Sequence, residues 1–245
     1  MTHYHLILAS TSPRRREFIK ILGLPVSLIS PGAAAGDVDE TPQLNERPDE
    51  LVQRLSHLKA QAVAKHLPQL WPQFNLGPAT DLVIIGSDTE VALDGQVLGK
   101  PASPAAAVTM LRALRGRPHE VLSGVTTLHL RQVEQAPQPT FTLGRSLTRL
   151  HRSQVWLRAF TEAELNAYVA TGSPLDKAGA YGIQDPFQPV AHLDGCYASV
   201  MGLPLAELAA CLAEIGLSLP PIFSLCSRHT GTTCCQTTST AAPLC

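Results

Sequence analysis

The chain lacks the marks of a protein that binds nucleic acid or membrane. Its formal net charge is −1 over 245 residues, so no global positive field exists to hold a phosphodiester backbone or an anionic lipid surface. Aromatic residues make up only 5% and are not interleaved with a basic stripe, which leaves no single-strand or RNA-reading pattern. No apolar run approaches the ~20 residues of a membrane-spanning helix. The opening Met1-Thr2-His3-Tyr4-His5 has no charged head, long apolar segment or small-residue cleavage site of a secretory signal. These absences point to a soluble cytoplasmic protein with no nucleic-acid or membrane partner. Cysteine is sparse in the body, at Cys196 and Cys211, and crowds into the end, at Cys226, Cys234, Cys235 and Cys245. A cytoplasmic protein keeps such thiols reduced. Cys226-x-x-His229 followed by Cys234-Cys235 has the residue types of a zinc site but the spacing of no established finger. From Ser218 onward Pro, Ser, Thr and Cys dominate and periodicity stops. Residues 218–245 therefore read as a poorly ordered tail behind one domain at 1–217.

What is there alternates strand and helix. Residues 4–9 and 24–30 read as short strands around a helix with a strong start: Ser12 as N-cap, Pro13 at the first helical position and Gly23 as terminator. Residues 47–66 carry Leu51, Val52, Leu55, Leu58, Ala62 and Val63 at helical spacing. Residues 82–85 are four apolar residues, a central strand. A small Gly86-Ser87 step follows, then Asp88 where the chain is expected to leave the sheet, then an Asp94-Gly95 hairpin turn. Ser103 caps a helix at 104–114, and 120–130 and 153–160 read as strands. The polar stretch 131–152 reads as an exposed connection and 68–80 as a Pro- and Gly-punctuated loop. Thr161 and Glu164 make a capping box for 162–170. A strand at 190–193 and a helix at 204–215 end the periodic part.

Four stretches carry chemistry. Ser10-x-Ser12-Pro13-Arg14-Arg15-Arg16 places hydroxyls, guanidiniums and free backbone N–H groups at a helix start, a ready anion site; it also suits a capped helix with solvated arginines. Asp37, Asp39 and Glu40, with Lys59 on the next helix, could hold Mg²⁺ or form a solvated acidic loop. Asp88 with Thr89, and Lys100 in Gly99-Lys100-Pro101, could activate water and neutralise phosphate; Asp88 alone could equally make an Asx turn. In residues 174–184, PLDKAGAYGIQ, small residues permit close backbone approach to a ligand. There Asp176, Lys177 and Gln184 supply polar groups, and a Gln amide can pair with a base edge.

Taken in order, SxSPRR, VDE, a helix lysine, GSDT, LGKP, PLDKAGAYGIQ and SVMGLP resemble the Maf family of nucleoside triphosphate pyrophosphatases, also called septum formation inhibitor proteins. The resemblance runs from about residue 6 to 216 and leaves out the tail. It implies a Maf/Ham1-like (ITPase-like) α/β fold, with an elongated mixed sheet, flanking helices and two lobes around a cleft. It implies hydrolysis of a nucleoside triphosphate at the α–β linkage with Mg²⁺ or Mn²⁺, and a homodimer. The family's acid/base aspartate falls on Asp88. Its phosphate-binding serines and arginines fall on Ser10, Ser12, Arg14 and Arg15, and its further acidic and lysine positions on Glu40, Lys59, Lys100, Asp176 and Lys177. Glu40 and Asp88 are the expected metal ligands. Three positions tied to base selectivity carry Arg14, Thr89 and Gln184, the set of the dTTP/UTP branch. The alternatives are the 7-methyl-GTP branch of the same fold, or a nucleotide-binding regulator of septum formation without useful turnover.

Two departures stand out. Ser87 replaces the more usual alanine before the aspartate. After Gln184 the usual small, glycine-rich turn becomes Asp185-Pro186-Phe187-Gln188-Pro189, which alters the rim beside the expected base reader.

Overall fold

The computed structural model describes residues 3–32, 36, 38–70, 80–133 and 140–231. Among them, β1 (His3–Ala9), β2 (Val26–Ile29), β3 (Thr80–Leu93), β4 (Gln96–Val97), β5 (Pro118–Gln132), β6 (Phe141–Leu157) and β7 (Val190–Asp194) make one sheet. Its order is β2-β1-β3-β5-β6-β7, with β4 paired to β3. β1 runs parallel to β2 and β3, and the remaining pairs are antiparallel. The sheet is therefore mixed, as expected. The helices are α1 (Pro13–Lys20), α2 (Pro48–Lys65), α3 (Leu67–Leu70), α4 (Pro104–Leu114), α5 (Glu162–Ala170), α6 (Tyr197–Val200), α7 (Leu205–Glu214) and α8 (Ile222–Thr230). None is long and apolar enough to cross a membrane.

The helix starts follow from local chemistry. Ser12 Oγ accepts from the Arg15 N–H (3.4 Å), Ser103 Oγ from Ala106 (3.1 Å) and Thr161 Oγ1 from Glu164 (3.2 Å). The Glu164 carboxylate returns the bond to the Thr161 N–H at 2.8 Å, completing the capping box. At the Asp94-Gly95 turn both residues are left-handed, φ 53° and 79°, as a type I′ hairpin requires.

Both faces of the sheet are covered. On one, Val83 and Ile85 pack with Phe18 and Ile19 of α1 and Leu208 and Leu212 of α7. On the other, Leu82 and Ile84 pack with Ala60 and Val63 of α2. Farther along, Val91, Val121 and Val155 meet Leu111 of α4 and Leu165 and Val169 of α5. These clusters form two lobes, and β3 passes from one to the other.

Three expectations need correction. β3 does not end near Ile85. It continues to Leu93, with Asp88 opposite Gly124 in mid-strand. The small residues there serve packing instead. A Cβ at Gly86 would overlap the Ser56 carbonyl oxygen, and one at Gly124 the Val52 carbonyl, so the two glycines form the trough in which α2 lies. Second, the polar stretch 131–152 is largely strand, because β6 begins at Phe141 and pairs with β5 along its length. Residues 142–146 are exposed on both faces, so this part of β6 lacks the apolar alternation that a half-buried strand shows. Third, the tail is not wholly unpacked. Residues 222–230 form α8, whose Cys226 is buried in the same cluster as Phe18. α6, not among the elements expected from the sequence, lies in a stretch with no helical periodicity. Asp37, most of the 68–80 loop, Pro137, Pro139, Cys234, Cys235 and Cys245 lie outside the described residues.

Candidate active site

β1 stops at Ala9, opposite Gly86, while β3 runs on. Space opens at the carboxyl end of this parallel pair, where open α/β sheets place ligands. The chain leaves β1 through residues 10–12, held by the Ser10 N–H on the Ile29 carbonyl (2.9 Å) and the Ser12 N–H on Ser10 Oγ (3.1 Å). α1 then starts with its N-terminus, Arg14 and Arg15 at the opening. A helix start of this kind favours anions through its unsatisfied N–H groups and its dipole.

Strand periodicity decides which side chains meet. Residues 82, 84, 86, 88 and 90 share one face, the face on which α2 lies. Gly86 and Gly124 let α2 approach, and its Lys59 reaches Asp88 Oδ1 at 2.5 Å and Glu40 Oε1 at 2.7 Å. Asp88 is 5% exposed, and its Oδ2 has no hydrogen-bond partner among the described residues. Burial alone would raise the pKa of Glu40, but the Lys59 ammonium outweighs burial and holds it below the usual carboxylate range. Glu90 behaves oppositely. Burial first, then the Asp88 charge, pushes it up to about 7, and its Oε2 is also without a partner.

The odd residues face the other way. Thr89 Oγ1 hydrogen-bonds Ser123 Oγ (2.8 Å) and accepts from Arg15 Nη2 (3.3 Å). Arg15 Nε donates to the Gly202 carbonyl at 2.8 Å, and Ser123 Oγ to the Ser199 carbonyl at 2.7 Å. Arg15 is thus fixed from two sides. Ser87, the departure from alanine, donates to the Gly124 and Gly202 carbonyls, which ties α6's following turn to β3. Across the opening, Arg14 Nη1 donates to Asp176 Oδ2 at 3.4 Å. Lys177 Nζ donates to Asp176 Oδ1 (2.7 Å) and to the Ser173 carbonyl (2.5 Å). Lys100 and Gln184 are exposed at the same opening.

The twelve residues to which the resemblance assigns a site role line one cleft of about 680 Å³, a volume in the range of small-molecule sites, whereas Asp39 does not line it and accepts from the Thr41 N–H instead. Glu90 lines it too and was not singled out. Its signal was available, since Asp88-x-Glu90 places two carboxylates on one face of a continuous strand. Ending the strand at the Gly86-Ser87 step concealed that alternation. The arrangement can hold a polyanion at the α1 end and present a buried carboxylate to water. Its cations (Arg14, Arg15, Lys59, Lys100 and Lys177) surround that carboxylate from several elements.

Residues 5–215 match the family described as Maf-like protein. The chain is 41% identical over 222 residues to a dTTP/UTP pyrophosphatase of Ralstonia nicotianae, covering 89% of this chain and 97% of that protein. It is 42% identical over 215 residues to a dTTP/UTP pyrophosphatase of Moorella thermoacetica (87% and 96% covered). It is 40% identical over 212 residues to one of Chlorobaculum parvum (86% and 94% covered). Among solved structures, the Ham1 protein of Staphylococcus aureus is similar at a TM-score of 0.35 and 16% identity, over 62% of this chain and 71% of that one.

Proposed function

The chain belongs to the Maf family, and from that membership together with the cleft we propose that it hydrolyses dTTP and UTP at the α–β linkage, releasing the nucleoside monophosphate and pyrophosphate. The observation that carries this reading is Asp88. It is a buried carboxylate with one oxygen on Lys59 and the other unpartnered, at the floor of a cation-rich cleft. The unpartnered Oδ2 accepts the proton of a water whose oxygen bonds to phosphorus as the bridging P–O bond breaks and pyrophosphate leaves. Charge stabilisation and positioning supply most of the acceleration. Ser10, Ser12 and the α1 N–H groups hold phosphate oxygens, and Arg14, Arg15, Lys59, Lys100 and Lys177 neutralise them. Fixed by Thr89 and Gly202, Arg15 needs little reorganisation.

The residues present fit a divalent ion. Asp88 Oδ2 and Glu90 Oε2 are buried oxygens with nothing to accept from, and Glu40 shares Lys59 with Asp88. Among the described residues no three acidic, His or Cys groups form a ready-made cage. Mg²⁺ commonly takes only one or two carboxylates and completes its shell with water and substrate phosphate. Glu40, Asp88 and Glu90 would hold it, and when bound it supplies further charge neutralisation on the phosphate oxygens.

Base choice falls to Gln184 and Arg14 at the opening, with Thr89 acting through Arg15. Cytoplasmic residence and a homodimer complete the proposal. The test is a panel of nucleoside triphosphates at one concentration, with and without Mg²⁺, read by malachite green after added pyrophosphatase. dTTP and UTP should lead, with phosphate appearing only after pyrophosphatase is added. Preference for 7-methyl-GTP, or orthophosphate release without the coupling enzyme, would overturn it.

A further inference from the structure

Gln184 sits in a turn whose two ends are held by one phenol. The Gly182 N–H donates to Tyr168 Oη at 3.2 Å, and Tyr168 Oη donates to Asp185 Oδ2 at 2.5 Å. The Asp185 N–H closes the turn on the Gly182 carbonyl at 3.1 Å. Asp185 is 6% exposed, a burial that a carboxylate tolerates only with partners. It has a second donor in Ser173 Oγ at 2.9 Å, and the Lys177 ammonium lies 3.6 Å away. The next residues are secured as well. Phe187 stacks on Tyr168 with centroids 4.3 Å apart and planes at 13°. Arg158 lies 4.8 Å over Phe187 and donates to the Phe187 and Gln188 carbonyls at 3.2 and 3.0 Å. Neither Tyr168 nor Asp185 lines the cleft, whereas Gln184 does. Nor does either hydrogen-bond to Asp88, Lys59 or Arg15 among the described residues. The departure after Gln184 has therefore built an anchor behind the base reader, whose one approach to the phosphate-neutralising groups among the described residues is through Lys177.

We infer that Tyr168 and Asp185 are positioning residues for pyrimidine selection, aiming the Gln184 amide by pinning both ends of the turn that carries it. This rests on the reading that the Gln184 end of the cleft takes the base. The physical reason is geometric. A hydrogen bond to a base edge is lost beyond about 3.5 Å or below about 120°, so a displacement of about an ångström at Gln184 removes the discrimination. A site built to pair with particular donors and acceptors rejects the wrong partner only while it stays in register.

Tyr168→Phe keeps the ring and the Phe187 stack and removes both hydrogen bonds. KM for UTP and dTTP should rise about 10-fold, the worth of one or two such bonds, with kcat within about threefold. The ratio of kcat/KM for UTP over CTP should fall by a similar factor. Asp185→Asn retains a carbonyl acceptor for Tyr168 and should hold selectivity within about threefold of wild type, whereas Asp185→Ala should follow Tyr168→Phe. Melting curves accompany each variant. Titration calorimetry of UMP against CMP reads base preference without turnover, on Asp185→Ala where Tyr168→Phe does not fold. Unchanged UTP/CTP selectivity, or an equal loss of kcat on every triphosphate with KM intact, would overturn the inference, as would a wild type that binds UMP and CMP equally. A wild type that prefers UMP but hydrolyses nothing sinks the proposed reaction and leaves this inference standing.

Discussion

Asp88 and Glu90 share a strand face, yet their surroundings give them different parts. Asp88 has an ammonium on one oxygen; Glu90 is buried beside Asp88 and raised to about 7. Asp88→Asn should lower kcat on dTTP by at least about 10²-fold while the protein still melts cooperatively. Near-normal turnover in that variant would remove Asp88 from the chemistry. Glu90→Gln makes a prediction of opposite sign for stability. An acid raised from 4.5 to about 7 on folding costs nothing below pH ~4.5, and its cost grows as pH rises from there to about 7 and then levels off. Removing the charge should therefore stabilise the metal-free protein by up to about 3 kcal/mol at pH 8 and leave it unchanged near pH 4.5. Denaturant titrations in EDTA at the two pH values check this. The same variant should need about tenfold more Mg²⁺ for half-maximal turnover. That a substitution can stabilise the fold and weaken the site is the usual trade at a functional residue. The motif residues were legible because each lies in a short local pattern. Glu90 was concealed by ending the strand at Gly86-Ser87, and Tyr168 and Asp185 were not legible because their roles come from burial and from partners on other elements.

The contact that positions Lys59 belongs to whole elements. α2 can lie on β3 and β5 only because Gly86 and Gly124 present no side chain under its backbone. Ser56 and Thr126 then hydrogen-bond across the join at 2.8 Å. Gly124→Ala should displace the helix, at a cost of about 1–3 kcal/mol or more, and draw Lys59 from Asp88. The folded fraction should then show reduced kcat, in contrast to a simple stability mutant whose folded fraction is fully active. Unchanged unfolding free energy and kcat would mean that the trough is slack. Sequence periodicity was sufficient for α1, α4 and α5, whose caps are local. It failed at Gly86 because a glycine that ends a strand and one that seats a helix look alike in one dimension. β6 failed for a related reason: its first part is exposed on both faces and owes its existence to pairing with β5, so no alternation records the partner.

At the scale of the molecule, the family match ends at residue 215, but the packed chain does not. α8 brings Cys226 into the cluster that contains Phe18 of α1. His229 meets Phe18 edge-on at 5.2 Å and Glu17 at 3.0 Å. α1 is the helix whose first turn faces the cleft, so this late element braces that end of the cleft from behind. Its composition suggests a tail, because the run is short, follows Pro220-Pro221, and is apolar only at Ile222, Phe223, Leu225 and Cys226. Such a segment cannot fold alone and is helical only against a partner already in place. Truncation after Leu219 should uncover that side of α1 and lower stability by about 2 kcal/mol. For a chain of this size that lowers the melting temperature by about 4–8 °C. Because every described residue lining the cleft precedes the cut, kcat on dTTP should persist at temperatures well below the new transition. An unchanged melting temperature would show that α8 rests on the surface without bracing it. Loss of kcat at low temperature in a chain that remains folded would show that α1 needs the brace to hold its first turn in place.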